Sequence, residues 1–118
     1  MTENIQHLTD ETFDAAVAEG LTVVDFWAAW CGPCRMMAPQ FEKAAALRPN
    51  YRFAKVDVDA QPLVAGRYGI QSIPTLMVLR EGQPVAAQAG VMRAEQLVEA
   101  LDRIDAAPLP AASQEQAA

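Results

Sequence analysis

Apolar residues follow two patterns along the chain, short continuous runs and longer stretches with helical spacing. Leu21–Trp27 is nearly continuous and rich in β-branched and aromatic residues, which is typical of a strand covered on both faces. From Pro33 to Leu47 the composition becomes helical, and Pro33 suits a first helical position. We therefore predict a central strand followed directly by a long helix.

Three further segments are predicted to be strands, and a turn joins the last two. Tyr51–Val58 is predicted to be a strand, and Ile73–Arg80 is apolar and strand-like. Residues 81–83 predict a hairpin turn, and Pro84–Ala89 follows as the antiparallel partner. Because proline cannot donate to a strand ladder, we expect this last strand at the edge of the sheet.

Helices are predicted between and after these strands. Thr9 and the acidic residues that follow it precede a short helix that ends near Gly20, and Pro62 opens another. The type of the segment before Thr9 stays open. The remaining order, β-α-β-α-β-β-α, is that of an α/β domain with a central mixed sheet and helices on both faces. Its last helix would place on one face Leu97, Val98, Leu101 and Ile104.

The length and charge of the chain exclude several classes of protein. With 118 residues, the chain can bury one core but is too short for two ordinary domains. Its formal net charge of −6, with scattered basic residues, argues against nucleic-acid binding. Its start lacks a secretory pattern, and no stretch approaches the roughly 20 apolar residues of a membrane span. We expect a cytoplasmic domain over residues 1–105 and a disordered tail over 106–118.

The two cysteines, Cys31 and Cys34, lie at the predicted junction of strand and long helix. Their side chains would share one face of a first helical turn, within reach of a disulfide bond. The N–H groups and dipole of the helix N-terminus favour a thiolate, so we expect the pKa of Cys31 below its usual value of about 8.5. Gly32 is expected to permit a tight turn and Pro33 to fix the helix entry, leaving Cys31 outward and Cys34 inward.

This placement predicts disulfide exchange. Attack by Cys31 on a substrate disulfide would give a mixed disulfide, which Cys34 would cleave at high effective concentration. The alternatives are a buried, unreactive pair and half of a zinc site, although zinc needs four ligands and only His7 could add nitrogen. We expect no metal site and no bound cofactor.

Asp25 interrupts the otherwise apolar central strand. An unpaired buried carboxylate costs several kcal/mol unless it is protonated or partnered. We therefore expect a raised pKa at Asp25. The alternative is a solvated Asp on an edge strand.

Three segments together resemble the thioredoxin family, in the family's order and spacing. They are residues 24–28 (VDFWA), 30–35 (WCGPCR) and 73–75 (IPT), and the likeness extends from about residue 8 to 104. The resemblance implies the thioredoxin fold and protein-disulfide reductase activity. It also implies recharging by a thioredoxin reductase, so that NADPH and FAD reside on that partner.

The resemblance also implies roles for single residues. Asp25 would lie beneath Cys34 and accept its proton, directly or through water, while Lys55 tunes Asp25. A cis peptide bond would join Ile73 to Pro74 and leave the Ile73 backbone free for a substrate strand. An ordinary trans proline at a strand entrance is the alternative.

An apolar docking surface is expected beside the cysteines, with Trp30 partly exposed. Trp27 is expected to be a packing residue. The residues of this surface would be Trp30, Pro33, Ile73, Pro74 and Gly90.

Two other functions stay open. A disulfide oxidase or isomerase on this fold would have a less reducing dithiol and would be exported, so Gly32-Pro33 and the missing signal argue against it. A non-enzymatic protein would use the apolar surface alone. We expect a monomeric protein-disulfide reductase that acts on disulfide-containing proteins, and neither on nucleic acid nor at a membrane.

Overall fold

The computed structural model describes residues 4–108. The strands are β1 (Ile5–His7), β2 (Leu21–Trp27), β3 (Arg52–Asp57), β4 (Thr75–Arg80) and β5 (Gln83–Ala89). The helices are α1 (Phe13–Val17), α2 (Gly32–Leu47), α3 (Pro62–Arg67) and α4 (Ala94–Ala106). The segment that the sequence does not decide is therefore a strand. Helix α4 continues one residue past the predicted domain boundary, and residues 109–118 of the predicted tail lie outside the described residues.

The five strands form one mixed sheet in the order β1-β3-β2-β4-β5. Strand β2 lies at its centre, parallel to β3 and antiparallel to β4, as its continuous apolar run predicts. Among residues 4–108, strand β5 pairs only with β4, antiparallel, so the edge position expected from Pro84 is confirmed. The register of β2 and β3 places Asp25 directly beside Lys55.

Helices cover both faces of the sheet. On one face, Phe41 of α2 and Leu101 of α4 pack with Val23 of β2. On the other, Phe13 of α1 and Val64 of α3 pack in a second cluster, which includes Val24 of β2. Successive residues of a strand point to opposite faces, so β2 contributes to both clusters and is buried along almost its whole length. The predicted α/β architecture is confirmed.

The short helix α1 begins later than the acidic pair after Thr9 suggests. Its first residue is Phe13, and Thr9 instead accepts the Thr12 N–H through its hydroxyl at 3.1 Å. Asp10 accepts the Val64 N–H at 2.9 Å, at the start of α3. A carboxylate satisfies an unpaired N–H and favours the positive end of the helix dipole at either place. Thr9 therefore accepts an N–H in the turn before α1, whereas Asp10, predicted at the start of α1, acts on α3 instead.

Candidate active site

Cys31 is the N-cap residue of α2 and is disulfide-bonded to Cys34, with 5.2 Å between their Cα atoms. Its extended backbone (φ −88°, ψ 112°) places Cys31 Sγ 3.1 Å from the backbone nitrogen of Cys34, which donates to it. The predicted pairing is confirmed. The predicted difference in exposure is wrong for this disulfide form, because each cysteine is 4% exposed. Ile73 packs against the pair, which the local sequence around the cysteines cannot indicate.

Gly32 and Pro33 open helix α2. Pro33 occupies its second position, where a missing N–H costs nothing because the first N–H groups of a helix have no partner within it. Gly32 does not adopt a positive φ, and a Cβ built on it would meet no atom within 4 Å. The tight turn expected at Gly32 therefore does not depend on a backbone conformation that only glycine adopts.

Asp25 is fully buried at the centre of β2. Neither of its carboxylate oxygens has a hydrogen-bond partner among the described residues. Burial disfavours the charged form and raises the pKa of Asp25 from 3.8 to about 6, while the positive charge of Lys55 acts in the opposite direction. The expected rise in pKa is confirmed, and the solvated edge-strand alternative is wrong.

Lys55 lies beside Asp25 in the sheet and also lines a cleft next to Cys34. Its Nζ lies 4.8 Å from the centroid of the Trp27 ring, a cation–π distance. Trp27 and Lys55 line a cleft of about 100 Å³ together with Cys34 and Arg35. Trp27 is half-buried and also packs against the cysteine pair. Its expected packing role is confirmed.

The loop before β4 carries Ile73, which packs against the disulfide, and Pro74, which is hydrogen-bonded to Gly90 directly after β5. The peptide bond between Ile73 and Pro74 is cis, as the family resemblance implies. The Ile73 carbonyl oxygen lies 3.8 Å from Cys31 Sγ, and the Pro74 carbonyl oxygen accepts the Gly90 N–H at 2.9 Å. Gly90 has φ +95°, a conformation that favours glycine. Pro74 itself is buried, so it shapes this loop without adding exposed surface.

Trp30 is the most exposed aromatic residue at the site, with 68% of its surface accessible. Its indole Nε1–H donates to Asp59 Oδ2 at 2.8 Å. Two other large apolar residues close in sequence to the predicted site residues are exposed: Met36 in the second turn of α2, and Val91 directly after Gly90. The sequence analysis does not single out Asp59, Met36 or Val91. The signal for Val91 was its position after Gly90, whereas Asp59 lies 29 residues from its partner and has no local signal.

A family model described as Thioredoxin matches residues 4–103. The chain belongs to the thioredoxin family. It is similar to the curated thioredoxins of Staphylococcus aureus strains MW2 and COL, with 46% identity over 100 residues in each case. The aligned region covers 84% of this chain and 96% of each of those thioredoxins. The resemblance and the fold expected from the motifs are confirmed.

As a member of this family the chain is a thiol-disulfide oxidoreductase, and the Cys31–Cys34 disulfide is its redox-active group. Over residues 4–108, no three side chains of His, Cys, Asp or Glu cluster in a way that could hold a metal ion. The helices in this range are also too short or too polar to cross a membrane.

Proposed function

We propose that this oxidoreductase reduces disulfide bonds in other proteins and that a flavin- and NADPH-dependent thioredoxin reductase restores its dithiol. The observation that carries most weight is the capping position of Cys31, whose sulfur accepts the Cys34 N–H. This donor and the helix N-terminus both favour negative charge on that sulfur. Cys31 is therefore the proposed nucleophile, and Cys34 the proposed resolving thiol.

The reaction would proceed in two exchanges. The Cys31 thiolate attacks one sulfur of the substrate disulfide, an S–S bond to Cys31 forms, and the other substrate sulfur leaves as a thiolate. Cys34, after losing its proton, attacks Cys31 and releases the second substrate sulfur. Two electrons pass from the dithiol to the substrate, and the two released protons balance the two substrate thiols. Gly32 and Pro33 would hold the two sulfurs at the spacing that the second exchange needs.

Asp25 is proposed to accept the proton of Cys34, with Lys55 tuning its charge. A pKa of about 6 allows Asp25 to exchange protons near neutral pH. The cleft lined by Cys34 and Lys55 offers space for water beside Cys34. The variant Asp25→Asn should therefore slow the second exchange near neutral pH. An unchanged single-turnover rate of substrate reduction would contradict this role.

Substrates are proposed to dock on the face formed by Trp30, Ile73 and Gly90, with the buried Pro74 shaping the loop that carries Ile73. Trp30 supplies exposed apolar surface. Within residues 4–108, neither the N–H nor the carbonyl of Ile73 makes a backbone hydrogen bond, so both are available to an extended substrate segment. Gly90 and Pro74 hold the loop in which this backbone lies.

Insulin reduction tests the proposed activity. With NADPH and a matching thioredoxin reductase, the protein should make insulin aggregate as its interchain disulfides are cut, and the turbidity should depend on both cysteines. Cys34→Ser should retain substrates as mixed disulfides that dithiothreitol releases, whereas the matched control Cys31→Ser should retain none. Correctly folded protein without activity would refute the proposal.

The partners, cellular location and oligomeric state of this oxidoreductase are likewise proposed. A net charge of −6 with scattered basic residues favours action on other proteins rather than on nucleic acid. We propose a cytoplasmic monomer that carries electrons from the reductase to its substrates. Size-exclusion chromatography with light scattering would test the monomer, since a dimer mass at micromolar concentration would contradict it.

A further inference from the structure

The Trp30 side chain has a fixed partner although solvent surrounds most of it. Its Nε1–H donates to Asp59 Oδ2 at 2.8 Å, while 68% of its surface is accessible. Water could satisfy an indole N–H at such an exposed position, so the contact is not required to avoid an unpaired donor. What the contact does is limit the directions in which the ring can point.

Asp59 is itself held by the loop that follows β3. Asp57 Oδ1 accepts the N–H groups of Asp59 at 2.9 Å and Ala60 at 3.3 Å, which closes a tight turn. The Val58 N–H donates to the Trp27 carbonyl at 2.9 Å, and this bond ties the same loop to the end of β2. Trp30 follows β2 by only three residues. Both ends of the contact between indole and carboxylate are therefore anchored to the central sheet.

No cation of the described part of the chain forms an ion pair with the Asp59 carboxylate. A charged acceptor makes a stronger hydrogen bond than a neutral one. The geometry thus assigns this carboxylate to the indole of Trp30.

We propose that Asp59 is a positioning residue that holds the Trp30 ring in the orientation that receives protein substrates. This inference rests on the proposed docking role of Trp30. A free indole would have to give up its rotamer freedom each time a substrate docks, whereas the held ring has lost it on folding. Asp59 would accordingly affect how tightly a protein substrate docks and not the exchange between the sulfurs.

Single-turnover kinetics separate these two effects. The protein is reduced with dithiothreitol, freed of reductant and mixed with increasing insulin, which gives a half-saturating concentration and a plateau rate without any reductase. Asp59→Ala should raise the half-saturating concentration about fivefold to tenfold, within the range expected when one more side chain must be immobilised on docking. Its plateau rate should change less than about twofold. The matched control is Glu19→Ala. It also removes one carboxylate, from an exposed position before β2, and should change neither the half-saturating concentration nor the plateau rate.

Asp59→Asn distinguishes positioning from charge. It keeps a side-chain carbonyl oxygen that can accept the indole N–H but has no negative charge. Recovery to within about twofold of the unsubstituted protein supports positioning. Failure of Asn to recover what Ala loses would mean that the charge itself attracts the substrate, and the proposal would be overturned.

Nuclear magnetic resonance reports on the ring directly. The two indole N–H signals are assigned with Trp30→Phe. In Asp59→Ala, the steady-state heteronuclear NOE of the Trp30 indole should fall, while that of Trp27 stays unchanged. An equally rigid Trp30 indole in Asp59→Ala would overturn the proposal, whatever the kinetics show.

Trp30→Ala keeps this inference separate from the proposed function. If Trp30→Ala raises the half-saturating concentration and Asp59→Ala does not, the docking surface stands and the positioning role fails. If Trp30→Ala changes nothing, the docking role of Trp30 is refuted and the positioning role with it. If both raise it, Asp59→Ala should have no further effect in the Trp30→Ala background; an additive effect would overturn the proposal.

Discussion

The variant Asp25→Asn removes a buried charge from the centre of the sheet with almost no change in side-chain size. The pKa of Asp25 rises from 3.8 to about 6 in the folded protein because burial disfavours the carboxylate. The folded state therefore holds this proton more tightly than the unfolded state does. The free energy of unfolding must then fall as the pH rises from about 4 to above 6. With about 1.4 kcal/mol per pKa unit, the loss is roughly 3 kcal/mol near pH 8.

Because Asn cannot ionise, the free energy of unfolding of Asp25→Asn should not show this fall with rising pH. The difference in free energy of unfolding, variant minus unsubstituted protein, should rise by roughly 3 kcal/mol between about pH 4 and pH 8. The buried amide adds a desolvation cost that is independent of pH. The quantity to compare is therefore the change of the difference with pH, not its value at one pH.

Urea unfolding of the disulfide form at a series of pH values measures this quantity. The control Glu19→Gln removes an exposed carboxylate, and its difference should stay within about 0.5 kcal/mol at every pH. A difference for Asp25→Asn that stays constant from about pH 4 to pH 8 would refute the idea that the folded protein buries an uncompensated carboxylate.

Three further sets of substitutions test how the elements are joined. Asp10→Ala removes the acceptor at the start of α3 and should lower the free energy of unfolding in urea by about 1 kcal/mol, which Asp10→Asn should largely restore. Phe41→Ala empties a fully buried site and should cost about 3–5 kcal/mol in the same assay; a loss below about 1 kcal/mol would contradict its place in the core. Arg48 binds Asp102 through two nitrogens and lowers the pKa of Asp102 to about 2. The pair therefore stabilises the fold at neutral pH, and this stabilisation is lost as the pH falls through about 2. Arg48→Ala and Asp102→Ala should each lower the melting temperature at neutral pH, and strictly additive losses in the double variant would contradict direct pairing.

Elements with one strong local pattern could be predicted from the sequence. The apolar run of β2 has only one compatible position, the middle of a sheet covered on both faces. The spacing of Leu97 and Leu101 likewise fixes the buried face of α4. The cysteine pair at the strand-to-helix junction belongs to the same class, because its two sulfurs are close as soon as the helix forms.

Contacts between distant residues could not be predicted in this way. Asp10 caps α3, and Gln40 of α2 accepts the Ala94 N–H at the start of α4 at 2.8 Å, each across 54 residues of sequence. A carboxylate or amide can satisfy any nearby unpaired N–H, so its type does not reveal which helix it reaches. The burial of Cys31 has the same origin, since Ile73, which packs against it, is brought there by the sheet.

The two margins of the sheet have a consequence for self-association. Strand β1 has three residues, and β5 has a register shift opposite Val78 and Leu79, next to Pro84, which has no N–H to offer. Short or interrupted edge strands are poor templates for adding another chain. Extended polypeptides that bind beside the disulfide, as proposed, therefore find no long, regular edge strand with which to pair. For the same reason, copies of the protein itself are not expected to polymerise edge to edge.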